Sequence, residues 1–238
     1  MAKAHIEKRR LRVLAAVLER IMRCIAGRDW HGGENLPKQG GFIAVSNHVS
    51  YVDPATFAHY IFLNGHIPHF LAKASLFDLP ALGSLLRAYD QIPVYRGTAQ
   101  AKDAVDKGTL VLKAGGAIAI FPEGTLTRDP DYWPMVARTG AARMALENAV
   151  PVIPVIQWGV HRILKPYGKF PKLFPRKNVT IIAGPEINLD DLRGRPLDTE
   201  VLRAASDRIM DTLTAMLEDI RGEKAPDVRY DMRNKKSA

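Results

Sequence analysis

The stretch Ser46-Asn47-His48-Val49-Ser50-Tyr51-Val52-Asp53-Pro54 sets a histidine five residues before an aspartate. On a continuous helix these two side chains would lie about 140° apart and could not meet. Pro54 suits a first helical position and disfavours helical backbone at Asp53, so the spacing predicts Asp53 as a helix N-cap with His48 in the preceding turn. One carboxylate oxygen can then satisfy the helix amides while the other takes the imidazole Nδ1–H. Nε2 stays open to accept a proton, as in the His–Asp half of a catalytic triad. The same residues also compose an ordinary Asp-Pro cap with an incidental histidine.

A second constellation is Phe121-Pro122-Glu123-Gly124-Thr125-Leu126-Thr127-Arg128, where an apolar strand runs into a turn carrying an acid, a glycine, two hydroxyls and an arginine. Its backbone N–H groups and guanidinium can meet a phosphate, and a plain turn is the alternative. Gln91-Ile92-Pro93-Val94-Tyr95-Arg96-Gly97 ends a strand in a cation. Val150-Pro151-Val152-Ile153-Pro154 has two prolines, which suit a short or edge strand. No activated nucleophile is expected, because Gly-x-Ser-x-Gly and His-Glu-x-x-His are absent. His59, His66 and His69 have no zinc spacing, so no metal is expected.

Positioning these groups falls to alternating strands and helices. Strands are expected at 42–46, 67–72, 91–95, 117–121, 152–156 and 179–183, with helices at 54–63, 80–88, 98–113, 138–148 and 199–221. That order predicts an α/β fold with a mostly parallel central sheet, helices on both faces and ligand chemistry where loops leave the strand ends. The expected organisation is an N-terminal basic amphipathic helix over 1–28, one domain over 29–225, and a polar C-terminal tail over 226–238 that frays.

The chain has 238 residues, 47% of them hydrophobic and 25% charged, which excludes wholesale disorder and fibrous repeats. A single cysteine, Cys24, rules out an internal disulfide framework and points to a reducing compartment. The net charge of +9 is concentrated: residues 1–28 carry +6, residues 148–185 carry +6 with no acid, and the remainder is −3. The first segment forms an apolar arc opposite Lys8, Arg9, Arg12, Arg20 and Arg23. It can lie in the headgroup plane of an anionic bilayer or pack on its own domain. Its longest uncharged stretch, Val13 to Leu18, is six residues, far short of the roughly 20 a span needs. It also lacks the uninterrupted apolar core of a signal peptide. The second segment, 161–177, interleaves cations with Tyr167, Phe170 and Phe174, as a lipid interface or a nucleic-acid surface does; a solvated loop is the plain alternative. A nucleic-acid partner is not expected, since it leaves the other motifs without a purpose.

In order and spacing these motifs resemble those of the glycerolipid acyltransferases of the 1-acylglycerol-3-phosphate (lysophosphatidic acid) acyltransferase type. Asn47-His48 with Asp53 is similar to that family's histidine–x4–aspartate motif. Ile92-Pro93-Val94-Tyr95-Arg96, Phe121-Pro122-Glu123-Gly124-Thr125 and Val150-Pro151-Val152-Ile153-Pro154 resemble the motifs that follow it. Ala72-Lys73 and Gly184-Pro185-Glu186-Ile187 are further landmarks, and the likeness spans roughly residues 40–190. Two positions depart from the pattern. Asp90 stands where a Gly is usual, and Leu126 stands where many members carry Arg, with Arg128 two places later.

The resemblance implies transfer of a fatty acyl group from acyl-CoA or acyl-carrier protein to the free hydroxyl of a lysophospholipid, with His48 as general base oriented by Asp53. Neither a cofactor nor a covalent acyl-enzyme is implied. Lys73, Arg96 and Arg128, with the Glu123-Gly124-Thr125 turn, would hold the acceptor phosphate, and Glu123 would bind the glycerol or order that turn. Pro93, Val94, Val152 and Pro154 would be acyl-binding or structural. Residues 1–28 and 161–177 would keep the protein peripheral to the cytoplasmic face of the cell membrane. The open alternatives are another acceptor, such as glycerol 3-phosphate, another lysophospholipid or a glycolipid, and a non-catalytic lipid-binding protein on the same fold.

Overall fold

Phe42-Ile43-Ala44-Val45 is apolar at every position because this strand, β2 (Phe42–Val45), lies inside a sheet covered on both faces. The computed structural model describes residues 20, 23–95 and 101–234. Its other strands are β1 (Ala26–His31), β3 (Pro68–Lys73), β4 (Ile92–Val94), β5 (Ala117–Ile120), β6 (Val152–Trp158) and β7 (Lys177–Ala183). They form one sheet in the order β1-β7-β6-β2-β5-β3-β4. Every neighbouring pair is parallel except β6 and β7.

Alternate residues feed two cores. Ile43, Val45, Ile118, Ile120, Val152 and Ile156 pack with α3 (Ala101–Lys113), α4 (Gly140–Asn148) and α5 (Thr199–Arg221). Phe42, Ala44, Ala119, Ile153 and Val155 join Phe57, Tyr60 and Ile61 of α1 (Asp53–Leu63) on the opposite face. Helix α2 (Pro80–Ala88) buries only Gly83. Helix α5 begins where Asp198 accepts the Val201 N–H at 2.9 Å and ends at Gly222, whose φ of 64° is the left-handed cap glycine tolerates. Among the described residues no helix is long and apolar enough to cross a membrane.

Three sequence expectations change. Ala26–Arg28, placed in the N-terminal segment, open strand β1, whose sequence Ala-Gly-Arg-Asp-Trp-His has little strand propensity and is tolerated because β1 is an edge strand. Residues 1–19, 21 and 22, which carry most of the expected amphipathic helix, lie outside the described residues, while Arg20 and 23–25 are helical. Strand β6 is central, not an edge, despite Pro154. The missing N–H falls where β7 has already ended: Ala183 pairs with Val155, and the Pro154 carbonyl accepts the Gly184 N–H at 2.8 Å. Third, the tail, expected to fray, is tied down as far as Tyr230. Val136 donates its N–H to the Tyr230 carbonyl at 3.0 Å, and Arg229 pairs with Asp211.

The end of α5 reaches the loop that follows β5. The Arg221 guanidinium lies 3.9 Å from the Trp133 ring centroid and 4.7 Å from that of Trp158, and donates to the Asp131 carbonyl at 2.7 Å.

Leu213 is 0% exposed in the middle of α5, whereas Leu110 on α3 is 69% exposed. Leu213→Ala should destabilise the fold by about 2–5 kcal/mol in urea denaturation, and Leu110→Ala by less than about 0.5 kcal/mol. Equal losses would contradict the placement of the core.

Candidate active site

Because β2, β3, β5 and β6 run parallel, their C-terminal ends share one edge of the sheet. The loop 46–52 leaves β2 there, the turn 121–128 leaves β5, Gln157 lies near the end of β6, and Lys73 ends β3.

His48 and Asp53 meet across the β2–α1 loop. The imidazole Nδ1–H donates to Asp53 Oδ2 at 2.9 Å; a carboxylate only accepts, so the proton belongs on Nδ1. Asp53 does not cap α1 as expected. It is the first helical residue, and its Oδ2 reaches backwards to accept the N–H groups of Val49 at 2.5 Å and Ser50 at 2.7 Å as well. One oxygen therefore gathers three donors, because the loop curls over the carboxylate before the helix starts. Oδ1 is buried with no hydrogen-bond partner. Burial pushes the Asp53 carboxyl upward, and the His48, Ser50 and Val49 donors oppose that. The imidazole is stacked on Phe121 with centroids 4.1 Å apart, and its side chain keeps 15% exposure. Nε2 has no partner among the described residues.

Glu123, 1% exposed, joins two loops. Its Oε1 accepts the His48 N–H at 3.0 Å and its Oε2 the Met135 N–H at 3.1 Å. The Thr127 N–H donates to the His48 carbonyl at 2.7 Å, so the backbone at His48 is held on both sides. Burial, with repulsion from Asp53 and Asp129, pushes the Glu123 carboxyl up to about 8 against the pull of its two N–H donors. Both oxygens are thus committed to loop order. Gly124 has φ 72°, and the turn closes through its N–H to the Phe121 carbonyl at 2.9 Å.

Behind the pair lies an amide clasp absent from the sequence expectations. Asn47 bonds both backbone groups of Gln157, its Nδ2 donating to the carbonyl and its Oδ1 accepting the N–H, each at 2.9 Å. The Gln157 side chain accepts from Thr56 Oγ1 at 2.6 Å and donates to Ser46 Oγ at 3.1 Å. Gln157 is 0% exposed, and its amide oxygen and nitrogen both have partners. A single amide near the end of an apolar strand was the available signal for it.

The cations are more dispersed. Lys73 is exposed at the end of β3. Arg128 is exposed and leans over the Tyr167 ring at 5.4 Å, while the Tyr167 hydroxyl donates to the Leu126 carbonyl at 3.0 Å. Arg96 lies outside the described residues. Thr125 is partly exposed beside Gly124. Pro93 and Val94 lie in edge strand β4, and Val152 and Pro154 are buried in β6. Arg138, overlooked in the sequence, donates its N–H to the Pro122 carbonyl at 2.9 Å and lays its side chain against Gly124.

The folded state holds a proton on Glu123 that the unfolded chain, with an ordinary value of 4.5, releases. Stability therefore falls as pH rises from about 4.5 to about 8. Glu123→Gln removes this linkage but turns an amide donor towards one of the two N–H groups. The variant should melt below wild type at pH 5, with the gap narrowing towards pH 8, in calorimetric scans. A gap independent of pH would contradict the buried neutral carboxyl.

Residues 27–158, more than half of the chain, match the family described as Acyltransferase. The 1-acyl-sn-glycerol-3-phosphate acyltransferase of Borreliella burgdorferi is 34% identical over 125 residues, covering 52% of this chain and 48% of that protein. The protein of the same name from Bacillus subtilis is 27% identical over 185 residues, covering 76% of this chain and 84% of its own length. The chain thus spans about half of the first relative and most of the second. The fold is similar to the crystal structure of the 1-acyl-sn-glycerophosphate (LPA) acyltransferase PlsC from Thermotoga maritima, with a TM-score of 0.69, 21% identity, and 94% and 85% of the two chains covered. With its histidine and aspartate joined at the C-terminal edge of the sheet, this chain belongs to the acyltransferase family.

Proposed function

We propose that this chain transfers a fatty acyl group from a thioester, acyl-CoA or acyl-carrier protein, to the free hydroxyl of 1-acylglycerol 3-phosphate, giving phosphatidic acid. The observation that carries this reading is the His48–Asp53 pair at the edge where the strands end, with Nε2 taken by no described residue. The names of the relatives support the choice of acceptor.

A glycerol hydroxyl is a weak nucleophile at neutral pH and needs a base within hydrogen-bond reach. His48 Nε2 takes the hydroxyl proton as the oxygen attacks the thioester carbonyl, and Asp53 stabilises the imidazolium through Nδ1–H. Collapse of the tetrahedral intermediate breaks the C–S bond, and the departing sulfur takes the proton back from Nε2. No acyl-enzyme forms. The Phe121 stack and the Glu123 and Thr127 bonds limit movement of the ring. Lys73 and Arg96, with the amides of the Glu123-Gly124-Thr125 turn, attract the acceptor phosphate, and Arg128 adds to the positive field around it.

The surface suits a peripheral position on the cytoplasmic face of an anionic membrane. Phe170 is 86% exposed and Phe174 80% exposed, interleaved with exposed Lys165, Lys169 and Lys172. Arg176 serves differently: it donates to the Ala26 carbonyl at 3.0 Å and ties the segment to β1.

Purified protein should acylate 1-acylglycerol 3-phosphate in preference to glycerol 3-phosphate, other lysophospholipids and glycolipids, measured with labelled acyl-CoA and product analysis. A preference for another acceptor would transfer the assignment to it. His48→Ala should lower kcat by about 10²–10⁴-fold while retaining the circular dichroism spectrum of the wild type. A folded variant with substantial turnover would remove His48 as the base.

Sedimentation with vesicles containing anionic lipid should retain the protein, and added salt should reduce retention. Removal of residues 1–25, which stops short of β1, and the double change Lys169→Glu with Lys172→Glu should each weaken it. Undiminished binding in both would place the membrane contact elsewhere.

A further inference from the structure

We propose that Arg138 is the phosphate-binding arginine of the turn after β5, a role neither Leu126 nor Arg128 is placed to fill. This rests on the reading that the acceptor carries a phosphate. Leu126 is 3% exposed and belongs to the interior. Arg128 is engaged over the Tyr167 ring of the basic segment 161–177.

Arg138 is twelve residues further along the chain from Leu126, yet folds back onto the same turn. Its N–H bonds the Pro122 carbonyl at 2.9 Å, which fixes its backbone beside Glu123. Its side chain runs across Gly124: a Cβ built there would lie 2.8 Å from Arg138 Cδ and 3.0 Å from Nε. Glycine at 124 thus serves two purposes, the positive φ of the turn and room for the arginine stem. The turn that carries the stem is the one whose Glu123 holds the His48 N–H and whose Phe121 stacks on the His48 ring.

Arg138 is exposed and makes no ion pair with a described residue. Arg143 and Arg221, by contrast, are engaged with Glu147 and Glu223. A guanidinium laid along a turn with its donors unspent is a preorganised fork for a phosphate, and little side-chain entropy is left to lose because the stem is already seated.

The test uses the full chain, an acyl-CoA donor, a short-chain 1-acylglycerol 3-phosphate and its phosphate-free counterpart. Arg138→Gln should raise KM for the phosphorylated acceptor by about tenfold or more, leave kcat within about threefold, and leave turnover of the phosphate-free acceptor unchanged. Arg138→Lys should recover part of the loss. Arg143→Gln, which removes the same charge from the exposed face of α4, should change neither. Titration calorimetry with the phosphorylated acceptor gives a readout independent of turnover, and Arg138→Gln should weaken binding by the same factor. An unchanged KM and affinity, or equal losses with both acceptors, would overturn the assignment. Wild type that neither binds nor acylates the phosphorylated acceptor would defeat the proposed reaction and Arg138 with it. Tight wild-type binding retained in Arg138→Gln would defeat Arg138 alone.

Discussion

Everything at the site depends on one buried oxygen. Asp53 Oδ2 is withdrawn from water and surrounded by three donors, one from the His48 ring and two from the backbone of the loop between them. A carboxylate in such a place is costly unless its donors hold their positions. The loop therefore cannot relax without exposing the cost, and the imidazole is fixed by the same atom that fixes the backbone. Ring orientation, tautomer and loop shape are one property here.

The neighbouring elements extend that constraint outward. Glu123 and Thr127 bond the two backbone groups of His48, and the Asn47–Gln157 clasp bonds the residue before it to β6. Two acids share this small volume, Asp53 and Glu123, and the charge on Asp53 raises the cost of ionising Glu123. The fold resolves the conflict by giving the imidazole to Asp53 and leaving Glu123 with amide donors alone. Charge is thereby separated: the interior of the site holds acids, and the cations lie on the exposed residues around it.

Much of this was legible in the residues. Asp198, Gly222 and the apolar period between them mark α5 to the residue, and continuous apolar runs identify the strands that helices cover on both sides. The histidine and aspartate were legible as a pair because Pro54 argues against one continuous helix running through both. What could not be read was long-range. β1 has charged residues and no period, and is a strand only because β7 offers it an edge. Asp53 serves the loop rather than the helix because of how that loop curls, which no spacing rule encodes. Gln157 and Arg138 act through partners 110 and 14 residues away, so neither stands inside a local motif. Pro154 misled because its place in the ladder depends on where β7 ends.

Strand β1 pairs in parallel with β7, joining residue 26 to residue 177. During synthesis β1, the first of the described strands, has no sheet partner until β7 has followed it. The clasp through Gln157 likewise waits for β6, so loop 46–52 acquires its final geometry late. Contacts of such long sequence separation fold slowly, and the order of assembly keeps the nascent chain without a finished site until most of the domain has been made.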